Sequence, residues 1–237
     1  MVKYIDIADD IRSKIYNKKY TYGQKLPYET ALCLQYKCNK ETMKKSLEIL
    51  VKEGLIIRRR GAGTFVKDYD PLNEGIKSNT NAALGLTKRF EGISKVESEV
   101  ITFEVIPTDE LIGKKLQVEI GSFVYHIIRR RLVDKKPYSI EIIYMPISLV
   151  TNLTLDDIQN SLYEYIEKNL NLKIQSAHQT ITSAISTQLE QDYLNLKKTE
   201  PYIQVEQVAY LSNGSIFEYS INRFDFKTFE FSTVTVK

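Results

Sequence analysis

Two hundred and thirty-seven residues, 43% hydrophobic and 27% charged, have the composition of one or two folded globular domains, which excludes a disordered or fibrous chain. No stretch approaches the ~18 consecutive apolar residues of a bilayer-spanning helix, and Met1, Val2, Lys3 and Tyr4 do not open a signal peptide, so a cytoplasmic protein with no membrane partner is expected. The net charge of +3 is unevenly spread: residues 1–67 hold 15 Lys and Arg against 7 Asp and Glu, a net of +8, which leaves −5 for the remainder. A small basic unit ahead of a larger acidic one points to a polyanion-binding module, although a basic face is also ordinary solvated surface. Cys33 and Cys38, with His126 and His178 far off in sequence, make neither a four-ligand zinc site nor a disulfide framework. No metal and no cofactor are expected, and both thiols are expected to be buried.

Ile7, Ala8, Ile11 and Ile15 recur at helical spacing and predict an amphipathic helix over about 5–17. After Pro27, Ala31, Leu32 and Leu34 begin a short second helix that ends near Tyr36 and Lys37. Asn39 caps a third, with Met43, Leu47, Leu50 and Val51 as its buried stripe and Gly54 as its stop. Two helices joined by so short a turn suggest a helix-turn-helix. Lys40, Thr42, Lys44 and Lys45 crowd the first two turns of the third helix, the end that helix-turn-helix proteins present to DNA; the same pattern fits a solvated lysine-rich helix. Leu55-Ile56-Ile57 and Thr64-Phe65-Val66 then flank Arg58-Arg59-Arg60-Gly61-Ala62-Gly63, a hairpin with a basic tip, which predicts a winged helix-turn-helix. A glycine at such a tip would let backbone approach the narrow minor groove, with Arg60 holding phosphate.

Three runs carry a resemblance: Gly23-x-x-Leu26-Pro27-x-Glu29; Thr42-Met43-Lys44 through Leu47, Leu50, Glu53-Gly54-Leu55-Ile56; and Arg60-Gly61-x-Gly63-Thr64-Phe65-Val66. Over residues 4–66 the chain resembles the GntR superfamily of bacterial transcription regulators. The resemblance implies that Lys40, Thr42 and Lys44 face operator DNA from the recognition helix, and Gly63 from the wing. Tyr28, Thr30, Asn39 and Lys44 stand where Ser, Arg, Ser and Arg are common. Lysine lacks the planar fork that reads guanine, so the operator sequence does not follow.

Residues 67–95 contain Pro71, Gly75, Gly85 and the polar tract from Lys77 to Asn81, without a sustained apolar period. The expected organisation is a DNA-binding domain over 1–67, a linker over 68–95 and an α+β effector domain over 96–237. Strand-like runs near 100–105 and over 123–133, 138–145, 173–185, 202–211 and 216–224, with turns at Asp134–Pro137 and Asn213-Gly214, predict a largely antiparallel sheet. Helices fit at about 108–116, 155–169 and 187–196. Alternation puts Arg129 and Arg131 on one strand face, about 7 Å apart, as an anion clamp or as a solvent-facing pair matched by carboxylates such as Glu141. Ser161-Leu162-Tyr163-Glu164 reads as a capping box, with Ser161 as cap and Glu164 reaching back; such a helix start can also receive an anion.

Phe123-x-Tyr125-x-Ile127-x-Arg129-x-Arg131, Lys136-Pro137 with Glu141, Tyr144 and Pro146, Ser161-Leu162-Tyr163, and Glu218-Tyr219-Ser220 with Arg223 and Asp225 are similar to the UTRA effector domain of HutC-type GntR regulators. That resemblance implies a chorismate-lyase-like fold in which Arg129, Arg131, Ser161 and Tyr163 hold an effector's anionic group, and Glu141 and Glu218 its hydroxyls or amines. His178 either packs or faces the same cavity. The expected function is a ligand-responsive regulator, a repressor that binds a palindromic operator as a homodimer joined by its C-terminal domains and is released by a small phosphorylated metabolite such as a sugar phosphate. A carboxylate effector is the alternative. An enzyme is not expected: no Cys lies beyond Cys38, and spacing offers neither histidine a nucleophile-base partner.

Overall fold

The computed structural model describes residues 3–67, 78–79, 85–90 and 92–232, which fall in two compact units, Met1–Asn79 with Glu230–Lys237 and Thr80–Phe229. The first unit holds helices α1 (Tyr4–Tyr16), α2 (Glu29–Gln35) and α3 (Lys40–Lys52), and a hairpin of β1 (Ile56–Arg59) and β2 (Gly63–Val66). Ile7, Ile11 and Ile15 of α1 pack on Met43, Leu47 and Leu50 of α3, and Leu32, Leu26, Ile56 and Val66 close the core. Val51 is only half-buried, and Leu34 is 81% exposed because a two-turn helix turns one narrow face inward and Leu32 occupies it. Cys33 and Cys38 are half-buried at the edge of this core rather than fully buried. The unit also contains a short parallel pair, β3 (Ser78–Asn79) with β10 (Phe231–Ser232).

The second unit opens with α4 (Gly85–Arg89), inside the stretch expected to be linker. A five-residue helix carries too little periodicity to be seen in sequence. It matters because the next residue, Phe90, is 1% exposed and meets Tyr138 edge-on at 5.3 Å between ring centroids. The rest of the expected linker, residues 68–77, 80–84 and 91, lies outside the described residues.

A six-stranded antiparallel sheet follows: β4 (Val96–Pro107), β5 (Phe123–Val133), β6 (Lys136–Pro146), β7 (Ile174–Ile185), β8 (Pro201–Leu211) and β9 (Ile216–Asp225), in the spatial order β4-β5-β6-β9-β8-β7. One face is covered by α6 (Leu155–Gln159), α7 (Leu162–Glu164) and a π-helical turn, Tyr165–Asn169, whose Ile158, Leu162 and Ile166 pack on Ile127, Ile143 and Phe217. On the other face α5 (Glu110–Leu116) sets Ile112 and Leu116 against Val124 and Tyr219, and α8 (Gln188–Leu194) sets Leu194 against Ile140 and Tyr202. Period-two alternation within β5 and β6 supplies both cores from the same strands.

The single helix expected over 155–169 is interrupted. Thr154 and Ser161 each cap a separate start, and Asn160 between them is extended at ψ −150°. Ser161 Oγ accepts from the Glu164 N–H, but the Glu164 carboxylate pairs with Lys168 instead of reaching back, so the reciprocal half of the expected capping box is not made. Breaking the helix also leaves C-terminal carbonyls without intrahelical donors, and these are put to use below. No helix among the described residues is long and apolar enough to cross a membrane.

Candidate functional site

Asn39 Oδ1 accepts from Thr42 N–H at 2.8 Å, so the cap read from sequence starts α3 and fixes which residues fill its first turns. Lys40, Lys44 and Lys45 are exposed there and Thr42 half-buried. The cations are not equivalent: Lys45 lies 3.5 Å from Glu41 and Lys44 4.0 Å from Glu48, whereas Lys40 has no ion-pair partner among the described residues. In the wing, Arg58 is paired with Glu29 at 2.8 Å and Arg59 stacks on Phe65 at 5.0 Å, while Arg60 is exposed and unpaired among the described residues. We predict that Lys40→Ala and Lys44→Ala each weaken binding to an operator selected from random DNA and lower the log-log salt slope by about one. A slope equal to wild type for both variants would take this end of α3 off the DNA.

Gly63 sits differently from expectation. Arg59 pairs with Gly63, so the loop consists of Arg60, Gly61 and Ala62, and Gly63 is the first residue of β2. Its φ is +118°, and a Cβ there would come within 2.6 Å of Lys25 Cε. Lys25 lies along this bend with its ammonium 2.9 Å from the Tyr28 hydroxyl and 4.4 Å from that ring's centroid. The missing side chain therefore makes room for Lys25 and relieves backbone strain, a structural role that the reading of a glycine fitting the minor groove did not contain. Gly63→Val is expected to cost about 1–3 kcal/mol of stability, chiefly through φ, since the lysine tip can move. Denaturant unfolding measures it; Gly61 has nothing within 4 Å of its Cβ position but a φ of +76°, so Gly61→Val carries the backbone cost alone and the difference between the two variants reads the Lys25 contact.

In the larger unit, antiparallel register sets Arg129 directly against Glu141 on the next strand. Arg129 is 5% and Arg131 2% exposed, so they are no solvent-facing pair. Arg129 Nε donates to Glu141 Oε2 at 2.6 Å, and its Nη1 donates to the Ile158 and Asn160 carbonyls, at 2.7 and 3.2 Å, where the interrupted helix leaves them free. Arg131 is less well satisfied. Its Nη1 lies 3.6 Å from the same Glu141 oxygen, Nη2 donates to Thr87 Oγ1 at 2.9 Å, and Nε has no hydrogen-bond partner among the described residues. Burial, together with the neighbouring Arg129 charge, pulls its pKa down to about 10, against the pull of Glu141.

Glu218 forms a second polar centre, 3% exposed. Its Oε1 accepts from Ser220 Oγ at 2.7 Å, Gln207 Nε2 at 2.9 Å and, more loosely, the Tyr163 hydroxyl at 3.4 Å. Burial raises its pKa despite the Ser220 and Gln207 bonds. Ser161 and Tyr163 line a cavity of about 380 Å³ with Thr87, Lys88 and Ser94. Arg131 reaches that wall through Thr87, and Glu218 reaches it through Tyr163. Of the six residues expected around an effector, Ser161 and Tyr163 line the cavity, Arg131 and Glu218 each hydrogen-bond to a residue of its wall, and Arg129 and Glu141 connect to it only by way of Arg131. His178 is exposed on β7 and takes no part.

Thr87 and Gln207 were not anticipated. Gln207 left a signal, since it is a polar residue at the inward period of Val205, Ala209 and Leu211. Thr87 left none. The described residues contain no cluster of His, Cys, Asp or Glu able to hold a metal ion.

A winged helix-turn-helix with a basic recognition helix, followed by an antiparallel α+β unit with a buried arginine pair beside a cavity, defines a one-component DNA-binding regulator. The comparisons agree. The model of the bacterial regulatory proteins of the gntR family matches residues 3–66, and that of the UTRA domain matches residues 93–230. The chain is 35% identical over 238 residues to the HTH-type transcriptional regulator GmuR of Bacillus subtilis, covering 100% of both chains. It is 32% identical over 231 residues to the mannosyl-D-glycerate transport/metabolism system repressor MngR of Escherichia coli, covering 98% of this chain and 95% of MngR. The crystal structure of the possible transcriptional regulator YydK from B. subtilis superposes with a TM-score of 0.81 at 27% identity, covering both chains fully. This chain belongs to the GntR family, in its HutC-type branch with a UTRA domain, and is a transcriptional regulator, not an enzyme.

Proposed function

We propose that the chain represses transcription from a palindromic operator in the cytoplasm, as a homodimer joined through its larger unit, and that a small phosphorylated sugar releases it. In this reading residues 1–67 carry DNA contacts through Lys40, Thr42, Lys44, Lys45 and Arg60, and the effector site begins inside the stretch expected as linker, since Thr87, Lys88 and Ser94 join residues of the 96–229 region in its wall. The observation that supports an anionic effector is the buried Arg129–Glu141–Arg131 triad: two guanidiniums share one carboxylate oxygen, and Arg131 keeps an unpartnered N–H. A buried positive charge left over beside a cavity is costly unless an anion meets it.

A phosphate dianion offers more acceptors than a carboxylate to Arg131 and the Thr87 and Ser161 hydroxyls, and to the Tyr163 hydroxyl once that leaves Glu218. Glu218, Gln207 and Ser220 would then meet sugar hydroxyls. The similarity to MngR, a mannosyl-D-glycerate transport/metabolism system repressor, supports the carbohydrate class and the sign of regulation. Linkage requires that an effector which weakens DNA binding be weakened by DNA to the same factor. Calorimetric titration of the full chain with hexoses and their 6-phosphates tests the class: phosphates are expected to bind more tightly, and tighter binding of the unphosphorylated sugars refutes it.

A further inference from the structure

Helix α2 stops in a way that brings the two cysteines of the chain together. Lys37 takes a left-handed conformation, φ +50°, and two bonds close the turn: the Lys37 N–H donates to the Leu34 carbonyl at 3.3 Å, and the Cys38 N–H donates to the Cys33 carbonyl at 3.0 Å. This is the Schellman stop, in which the second residue past the cap lays its side chain on the residue five positions earlier. A backbone bond between the two residues also keeps their Cα atoms within the roughly 7 Å that a disulfide tolerates. Both thiols are free and half-buried at the rim of the core. They act on each other, since burial and the neighbouring Cys33 push the Cys38 thiol up. The chain holds no third cysteine, so a single intramolecular pair can form.

This pair occupies the turn of the helix-turn-helix. Cys38 immediately precedes Asn39, whose side chain caps α3, and Lys40 follows. We propose that Cys33 and Cys38 are a reversible thiol–disulfide pair that closes by exchange with a small-molecule disulfide and, once closed, lowers the affinity for operator DNA. One cysteine thiolate attacks a sulfur of the small disulfide, forms a mixed disulfide and expels a first thiolate. The second cysteine, on losing its proton, attacks the protein-bound sulfur of that mixed disulfide and expels the second. The protein gives up two electrons and two protons, and the small disulfide leaves as two thiols. Where thiols are otherwise kept reduced, a bond of this kind is transient and reports an oxidant. A sulfur–sulfur bond is about 2 Å long, well inside van der Waals contact, so closure draws the two residues together. Leu32 anchors α2 in the core and Met43 anchors α3, at 1% and 0% exposed. The turn between them therefore takes up the movement, and Asn39 and Lys40 are displaced at the end of α3 that faces DNA in the reading above.

The test uses the full chain incubated in glutathione buffers of rising oxidised fraction. Mass spectrometry after iodoacetamide treatment counts the thiols that remain. Fluorescence anisotropy on an operator selected from random DNA reads affinity before oxidation, after it and after dithiothreitol. The wild type is expected to lose both thiols to one internal disulfide, to keep its far-ultraviolet circular dichroism, to bind the operator at least about tenfold more weakly and to recover on reduction. A Cys33→Ser, Cys38→Ser double variant is expected to bind like the reduced wild type in every buffer. The proposal is overturned by thiols that stay free or take up glutathione without closing, by a disulfide between chains, or by a closed pair that binds as tightly as the reduced one. Loss of helix on oxidation, or a double variant that weakens in oxidising buffer, overturns it equally. The oxidation of the wild type needs no variant to fold, and effector binding is measured on reduced protein, so the two readings fail separately.

Discussion

Arg131→Ala should abolish release of operator DNA by a phosphorylated sugar while leaving effector-free DNA affinity unchanged. Arg131 is the unsatisfied member of the triad: its removal leaves the 2.6 Å Arg129–Glu141 bond intact and gives up the Thr87 bond and a distant contact to Glu141. The free protein therefore loses little, and its pair of charges becomes balanced. The complex loses a buried charge-assisted partner for the ligand, which costs about 2–5 kcal/mol, or roughly thirtyfold and upward in affinity. Calorimetry with a sugar phosphate that binds the wild type, and fluorescence anisotropy on operator DNA with and without it, read the two halves. An unchanged effector response would place the anion elsewhere, and loss of DNA affinity in the absence of effector would show that the substitution damages the fold.

Glu141→Leu should have the opposite character, a large loss of stability whatever ligand is present. It deletes the carboxylate that both guanidiniums share, and removing one partner of a buried ionic group costs about 3–5 kcal/mol because the remaining charge is stranded. The pH dependence follows from the same contacts. Burial works to raise the Glu141 pKa, but Arg129 and Arg131 prevail and hold it below the ordinary glutamate value. A carboxyl depressed in the folded state contributes stability above its unfolded pKa and loses that contribution as pH falls through the folded pKa. The gap between wild type and Glu141→Leu should therefore be full at neutral pH and shrink in acid. Urea unfolding across pH measures it, and a gap that does not change with pH would mean that Glu141 acts through packing alone.

Much of this protein follows from local pattern. The cap at Asn39, the stripe of Met43, Leu47 and Leu50, the hairpin around Arg60 and the strands of the larger sheet depend on periods of 3.6 and 2 and on turn residues, which neighbouring positions specify among themselves. The placement of Arg129 and Arg131 on one strand face belongs to this class, since alternation alone decides it. What alternation leaves open is whether that face is wet or dry.

Only the tertiary structure decided that, because burial depends on what covers the strand. The cover is an interrupted helix whose Ile158 and Asn160 carbonyls receive Arg129, and a five-residue helix whose Thr87 receives Arg131 across 44 residues of sequence. The same holds for Gly63, whose neighbour Lys25 is brought beneath the wing by the Lys25–Phe65 bridge and not by any short-range pattern. Sequence periodicity determined which side chains share a face. The partners of those side chains, and with them the buried charge left over on Arg131, come from contacts between elements distant in the chain, which local propensity does not encode.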